Sequence, residues 1–383
     1  MPKPPVTPLS VLDLSPVSAG QTAGEALRST IELAVSAEAS GYSRYWLAEH
    51  HLNTGVAGSA PHILAGLVAS ATKSIRVGTA ATLLGNYRAL QIAESIGTLA
   101  AVFPNRIDLG FGRSGPPKSP SEPAPGFIAA AGNIPEPDPA VRLVDGLLVP
   151  APRPIFGAVL PRKFRLQGEL LGRVPGDTDN FESDVQDIIG FFTGDYRTKH
   201  GEEVTATPAL GQSPRFWIHG STAGPSARLA GKLGLPFGAN YHVAPANVLD
   251  SVAEYRAHFK PSASLAEPHV IVSADVLVAS DERRAGQLAL GYAQWVHGIR
   301  SGHGAIPYPS PEDALELHLD AEAEDLIKDR LDTRFVGDPD QVSEGLRTLQ
   351  RATGAQEVLV TTIAHDPADR ENSYQLLAEA WGL

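Results

Sequence analysis

The sequence predicts an α/β fold: a (β/α)8 TIM-type barrel with insertions. Three observations lead there. Eight apolar strand segments occur along the chain, each followed sooner or later by a helical pattern, and eight is the number that closes such a barrel. The length of 383 residues suits one large barrel with insertions. The motif that spells a different α/β fold lacks the helix that fold requires.

The elements come in order. "LSVLDL" (9–14) is a short apolar strand. "TAGEALRSTIELAVSAEASG" (22–41) carries apolar residues at helical spacing and ends on Gly41, a good helix stop. "RYWLA" (44–48) is the second strand, and "HILAGLVASAT" (62–72), after a proline, the second helix. "IRVGTAATLL" (75–84), "ALQIAESIGTLAAVF" (89–103) and "RIDLG" (106–110) continue strand, helix, strand. Four such steps imply parallel strands with crossover helices.

The rhythm then breaks. Residues 115–180 hold many prolines and few periodic segments, too long for an ordinary loop; we read 116–180 as an insertion after the fourth strand. Alternation resumes with a helix at 181–192, a strand at 214–220, a helix at 225–234, a strand at 235–241, a helix at 245–259 and a strand at 269–279. "DERRAGQLALGYAQWVHGI" (281–299) reads as one helix, 300–310 as irregular and 311–329 as an acidic helix. A helix at 338–354, a strand at 356–362 and a helix at 368–382 close the chain, giving one domain over 1–383 with its second irregular segment at about 300–330.

Composition narrows the function. Hydrophobic residues make up 43% and no long uncharged apolar run occurs, so no membrane span is expected. The start "MPKPPVTPLS" lacks the apolar stretch of a signal peptide, so a cytoplasmic location is expected. With no cysteine there is no disulfide, thiolate metal site, iron–sulfur cluster or cysteine nucleophile. A net charge of −12 without a basic cluster argues against a nucleic-acid partner. H-E-x-x-H is absent and no metal site is expected.

In "RIDLGFGRSGPPKSP" (106–120), Gly110, Gly112 and Gly115 spell G-x-G-x-x-G. A dinucleotide fold needs a helix directly after these glycines, because that helix's free N–H groups bind the pyrophosphate. Here two prolines and a proline-rich run follow, which cannot form it. In a barrel the same residues end the fourth strand, at the face where sites are built.

Three constellations fall at that face. "LAEHHLNTG" (47–55) puts Glu49, His50 and His51 after the second strand, either as an acid/base or proton donor or as hydrogen-bonded loop histidines. Thr79, Ala80 and Ala81 end the third strand, leaving room for something flat or packing tightly. In "IHGSTAGPSARLAGKLG" (218–234), Gly220, Ser221, Thr222 and Gly224 precede Pro225. That loop offers hydroxyls, amides and a helix N-terminus, a phosphate site by preference over a plain N-cap.

In order along the chain, "YWLAEHH" (45–51), "RVGTAATLLGN" (76–86), "AESIGTLAAVFPNRIDLGFGRSG" (93–115), "GSTAGPSARLAGKLGLPF" (220–237), "VGDPDQV" (336–342) and "VLVTTIAHDPADRENSYQLLAEAW" (358–381) resemble the bacterial luciferase-like flavin monooxygenases, nearest to their actinobacterial natural-product-tailoring branch. The resemblance implies a barrel whose mouth holds reduced FMN, supplied by a separate flavin reductase. It implies reaction with O2 through a C4a-(hydro)peroxyflavin to oxygenate a small, polyketide-type substrate, as in antibiotic biosynthesis, and a homodimer. It places His50, with His51, in the catalytic role. It places Thr79, Ala80 and Ala81 under the flavin ring, often with a cis peptide between the alanines. Gly112 and Arg113, with Gly220, Ser221 and Thr222, complete the cofactor site, Arg113 at the phosphate.

Two departures stand out. Gly112 occupies the position of the luciferase cysteine, so more room and no thiol are expected there, and light emission is not implied. Gly85 replaces a common proline. Tyr87, Asn240, Tyr241, Tyr292 and Trp295 are candidate substrate contacts. The alternatives are an F420-dependent oxidoreductase of the same superfamily and a non-catalytic flavin-binding subunit.

Overall fold

The computed structural model describes residues 6–113, 141–153, 162–173 and 180–383. Eight parallel strands close a barrel: β1 (Leu9–Asp13), β2 (Arg44–Leu47), β3 (Arg76–Leu83), β4 (Ile107–Gly112), β7 (Arg215–Gly220), β8 (Phe237–Asn240), β9 (Val270–Val278) and β11 (Glu357–Thr361). The ring shuts because β11 pairs with both β9 and β1. A hairpin of β5 (Arg142–Val144) and β6 (Leu147–Val149) stands apart. A short β10 (Phe335–Gly337) extends the wall by pairing with the C-terminal end of β9.

Helices α1 (Ala23–Ala39), α2 (Pro61–Ala71) and α3 (Ala89–Val102) cross between the first four strands. Each has a sequence reason. Thr22 and Glu25 form a capping box on α1, Gly41 follows its end at φ +87°, and Pro61 opens α2. Then come α4 (Arg162–Leu170), α5 (Phe181–Thr193), α6 (Pro225–Leu233), α7 (Val248–His258), α8 (Glu282–Leu288), α9 (Tyr292–Arg300), α10 (Pro311–Glu316), α11 (Ala321–Asp332), α12 (Pro339–Thr353) and α13 (Pro367–Trp381). The apolar core lies between the barrel's outer face and the ring of helices, with Tyr45, Leu47, Val77, Leu109, Val272 and Val360 fully buried there.

The structure differs from the sequence reading in three places. The helix expected over 281–299 is two helices, because the break at Gly291 packs against the chain at Tyr308 and Pro309 with no room for a side chain. The acidic helix expected near 311–329 also splits, and Asp320 caps the second part by accepting from the Ala323 amide. β10 was not anticipated; three residues are too few for an alternating pattern to register. The insertion expected over 116–180 lies largely outside the described residues, as does the motif of 106–120 beyond Arg113.

Register fixes what fills the barrel. Ser10 pairs with Arg44, Arg44 with Arg76, Trp46 with Gly78, Gly110 with Trp217 and Gly112 with His219. Side chains alternate along a strand, so Arg44, Asp108 and Glu357 share the inner face near the strand starts. Arg44 Nε donates to Asp108 at 3.2 Å and its Nη1 to Glu357, while Arg76 reaches Asp108 at 2.7 Å. This network plugs the closed end with paired charge, as burial requires. Above it, Trp46 and Trp217 meet edge to face at 5.4 Å.

Inner-face glycines make room for these rings. A Cβ on Gly78 would sit 2.7 Å from the Trp46 ring, and one on Gly110 2.6 Å from His219 Nε2. Gly112 does not open the space the sequence reading expected. A Cβ there would lie 2.7 Å from the Ala81 Cβ. The room beside Gly112 is already taken by Ala81, so a cysteine at 112 would require the β3 end to shift.

Candidate functional site

Four neighbouring strands, β2, β3, β4 and β7, deliver the predicted residues to one arc of the mouth. His50 and His51 follow β2, Ala80 and Ala81 lie near the end of β3, Gly112 and Arg113 end β4, and Gly220, Ser221 and Thr222 end β7. The Ala80–Ala81 peptide is cis. Gly112 pairs with His219, so the register sets Arg113 beside Gly220 and the hydroxyl loop.

The loop after β7 is not a plain cap. Gly224, not Ser221 or Thr222, is the N-cap residue of α6, and it provides no side-chain hydrogen bond. Ser221 Oγ accepts a hydrogen bond from Asn240 Nδ2 at 2.9 Å, which leaves its hydroxyl proton available to an acceptor. The strand ends bring a partly exposed arginine, two hydroxyl-bearing residues and the start of a helix to one side of the mouth. That donor set suits a phosphate and fits the phosphate end of a flavin nucleotide.

The histidine pair is sorted by its neighbours. Glu49 is buried at 4% exposure. It accepts from the Leu83 amide at 2.9 Å, from Asn86 Nδ2 at 2.6 Å, and meets His51 Nε2 at 2.8 Å. Arg173 Nε donates to Asn86 Oδ1 at 2.8 Å, tying the region after α4 to this group. His51 is thus a held residue of the loop. His50 differs: its amide donates to Gly58 O at 2.8 Å, and its buried Nδ1 has no hydrogen-bond partner among the described residues. An orphaned buried nitrogen at a barrel mouth is an open valence for a bound group.

Two further histidines belong to the mouth. His219 projects inward from β7 with an orphaned Nε2, against the Trp46 ring at 5.4 Å. His242 follows β8, and its Nδ1 lies 2.6 Å from Ser273 Oγ. Burial drives His50, His219 and His242 each down to about 4, with Glu49 opposing this at His50 and Asp275 at His242. All three are neutral at pH 7.

A histidine unfolds to a group titrating near 6.5, and these titrate lower in the fold. Their contribution to stability is complete above pH 6.5 and is lost as pH falls from there through 4. Urea midpoints are expected to hold between pH 7 and 8 and to fall steadily from pH 6.5 to 4. His219→Asn is expected to flatten that slope; an unchanged slope would contradict the assignment.

The other predicted residues separate. Thr79 is fully buried. Its hydroxyl accepts from Thr82 at 2.9 Å and reaches Gly110 O at 3.4 Å, so it braces β3 against β4. Thr82 in turn bonds His62 at 2.9 Å. Tyr87 lies beside the His62 ring, 5.4 Å away. Asn240 bonds Ser221 in the loop after β7. Tyr241 is a correction: it is 1% exposed, and its hydroxyl donates to Leu148 O at 2.7 Å, where it secures the hairpin.

Tyr292 and Trp295 pack with Trp46, Trp217, Ile271, Tyr308 and Leu359 in one apolar cluster that continues from the barrel interior to α9, with Ala80 against it. α4 reaches over the mouth: Lys163 Nζ donates to Asn53 Oδ1 at 2.9 Å and His303 O at 3.0 Å. No helix among the described residues is long and apolar enough to cross a membrane.

The sequence pattern of the luciferase-like monooxygenase family matches residues 7–124 and 186–357. A luciferase-like monooxygenase of Escherichia coli is 32% identical over 367 residues, covering 96% of this chain and 95% of that one. The solved structure of apo-MsnO8 superposes with a TM-score of 0.77 at 28% identity, covering 98% of this chain and 99% of that one. The oxygenating constituent of 3,6-diketocamphane monooxygenase from Pseudomonas putida, solved in complex with FMN, shares the fold. Its TM-score is 0.62 at 20% identity, covering 98% of this chain and 97% of that one.

Proposed function

The chain belongs to the luciferase-like monooxygenase family, and we propose that it oxygenates a small, polyketide-type organic molecule with O2 and reduced FMN supplied by a separate flavin reductase. The observation that carries this reading is the arc of the mouth. Arg113 and the Ser221–Thr222 loop stand beside each other at one end, and an orphaned His50 nitrogen lies along the same arc.

When bound, reduced flavin supplies the electrons and the point of O2 activation, chemistry that no side chain here provides. The chain's own residues do the rest. Arg113, Ser221, Thr222 and the first amides of α6 would hold the phosphate. Ala80 and Ala81 would lie against the ring, since small side chains leave the backbone accessible to a flat group. His50, neutral at working pH, offers one N–H and one lone pair rather than a stored imidazolium, so it can pass a proton in either direction at Nδ1. The Trp295–Tyr308 cluster excludes water.

Titration of the purified protein with FMN, riboflavin and F420, followed by absorbance and fluorescence, tests the reading. FMN is expected to bind, riboflavin more weakly and F420 least, since residues 220–226 carry no basic side chain for a longer acidic tail. With a flavin reductase and NADH added, a panel of aldehydes, ketones and thioethers is expected to contain an oxygenated member. Tighter binding of F420 than FMN, or no binding of either, would sink it.

A further inference from the structure

The mouth has a second polar centre, two strands round from the loop after β7. Arg334 precedes β10, which pairs with the mouth end of β9 from Val276 onward. Its guanidinium carbon lies 3.6 Å from the centroid of the Tyr292 ring, and its buried Nε has no hydrogen-bond partner among the described residues. Among the described residues Arg334 makes no ion pair.

The surrounding charges are already matched. Arg330 Nη2 donates to Asp275 Oδ2 and to the Tyr292 hydroxyl, both at 3.0 Å, and Tyr292 in turn donates to Asp275. Arg300 Nη2 bonds Asp329 Oδ2 at 2.7 Å. Three guanidiniums therefore face two carboxylates, and the cation left over is Arg334. Contact with an aromatic face offsets part of its desolvation, but a half-buried cation still favours an anion.

One more donor is idle nearby. Tyr308 is 1% exposed, and its hydroxyl has no hydrogen-bond partner among the described residues. It packs against Gly291, next to Tyr292. Arg334 lies close enough for its charge to favour the ionised phenol against the upward push of burial. A free guanidinium and a free phenol in one aromatic recess have the donor set of a carboxylate site.

We propose that Arg334 and Tyr308 form an anion subsite at the barrel mouth that takes the carboxylate of the substrate, resting on the reading of the mouth as an oxygenation chamber. The oxidisable part of such a molecule would extend toward His50, with its apolar body against Trp295.

The test uses flavin-free protein and tryptophan fluorescence at pH 7, titrated with octanoate and with octanamide, its neutral isostere. Octanoate is expected to bind about tenfold or more tightly than octanamide, the scale of a charge-assisted pair. Arg334→Met is expected to bring the two probes level, and Arg334→Lys to keep part of the preference. Tyr308→Phe should weaken octanoate alone. FMN affinity within about threefold of the parent shows that each variant is folded.

Wild-type protein that binds the two probes equally, or neither, overturns the proposal. So does Arg334→Met that keeps the preference. The two readings fail separately. Loss of the flavin reading shows as absent FMN binding with the octanoate preference intact, and loss of the anion subsite shows the reverse.

Discussion

His50→Ala is expected to bind FMN almost as tightly as the parent and to oxygenate its substrate about 10²–10⁴ times more slowly, the usual contribution of a positioned acid/base group. The loss should fall on kcat more than KM, because the imidazole makes no part of the phosphate grip. His50 is fixed from below by its amide bond to Gly58, and its neighbour Glu49 is saturated by three other donors. No local group can therefore take over its Nδ1. The His50 titration near 4 predicts a rate that is flat from pH 8 down to about 5 and declines below that as the imidazole protonates. His50→Gln should restore part of the rate but lose the acid limb. Stopped-flow rates with reduced FMN, O2 and the panel member that turns over check both. Full turnover by His50→Ala would remove His50 from proton handling.

His51→Ala should behave differently. It removes one of Glu49's partners and leaves a buried carboxylate less satisfied, so its first effect is on stability. Adjacent histidines in the sequence thus divide into one with an unpartnered Nδ1 among the described residues and one bonded to Glu49. Spacing alone gave them equal standing; the direction of each side chain decides between them.

The barrel was legible because each strand is a short apolar run, and several crossover helices carry their own start and stop signals. Thr22 with Glu25, Gly41, Pro61 and Pro225 are such signals, and all four act as local chemistry demands. The missed break at Gly291 is a tertiary effect. The glycine is needed because Tyr308 and Pro309 cross there, and nothing within 281–299 announces that crossing. The Asp320 cap, by contrast, was available: an acidic residue three positions before Ala323 opens α11.

The placement of candidate residues was legible where they follow a strand end directly, as at His50, Arg113 and Ser221. It was hidden where function depends on register. His219 sits inside a correctly read strand, yet its inward direction and its fit over Gly110 and Gly238 emerge only once β4, β7 and β8 are paired. Asp275, Arg330 and Tyr292 are separated by up to 55 residues, and no local pattern unites them. The G-x-G of Gly110 and Gly112 illustrates the limit. Its spelling suggested a phosphate loop, whereas its glycines admit His219 and Ala81.

Arg113→Ala is expected to weaken FMN by roughly 10–150-fold and riboflavin by less than threefold, the range of a hydrogen bond to a charged group, about 1.5–3 kcal/mol. The contrast between the two ligands is the decisive reading, since they differ only in the phosphate. A mutation that distorts the ring pocket would weaken both alike. The register supports the selective outcome: Gly112 pairs with His219, so Arg113 emerges beside Gly220, whereas the small residues assigned to the ring lie on β3. Raising ionic strength should weaken FMN for the parent and barely affect Arg113→Ala, because a partly exposed ion pair is screened by salt. Ser221→Ala should cost less, about 0.5–1.5 kcal/mol, because it removes one hydroxyl donor and leaves the guanidinium and the α6 amides in place. Arg113→Lys should fall between the two, keeping the charge and losing the fork that grips two phosphate oxygens at once. Equal loss of FMN and riboflavin in Arg113→Ala would move the phosphate away from β4 and overturn the assignment of this arc.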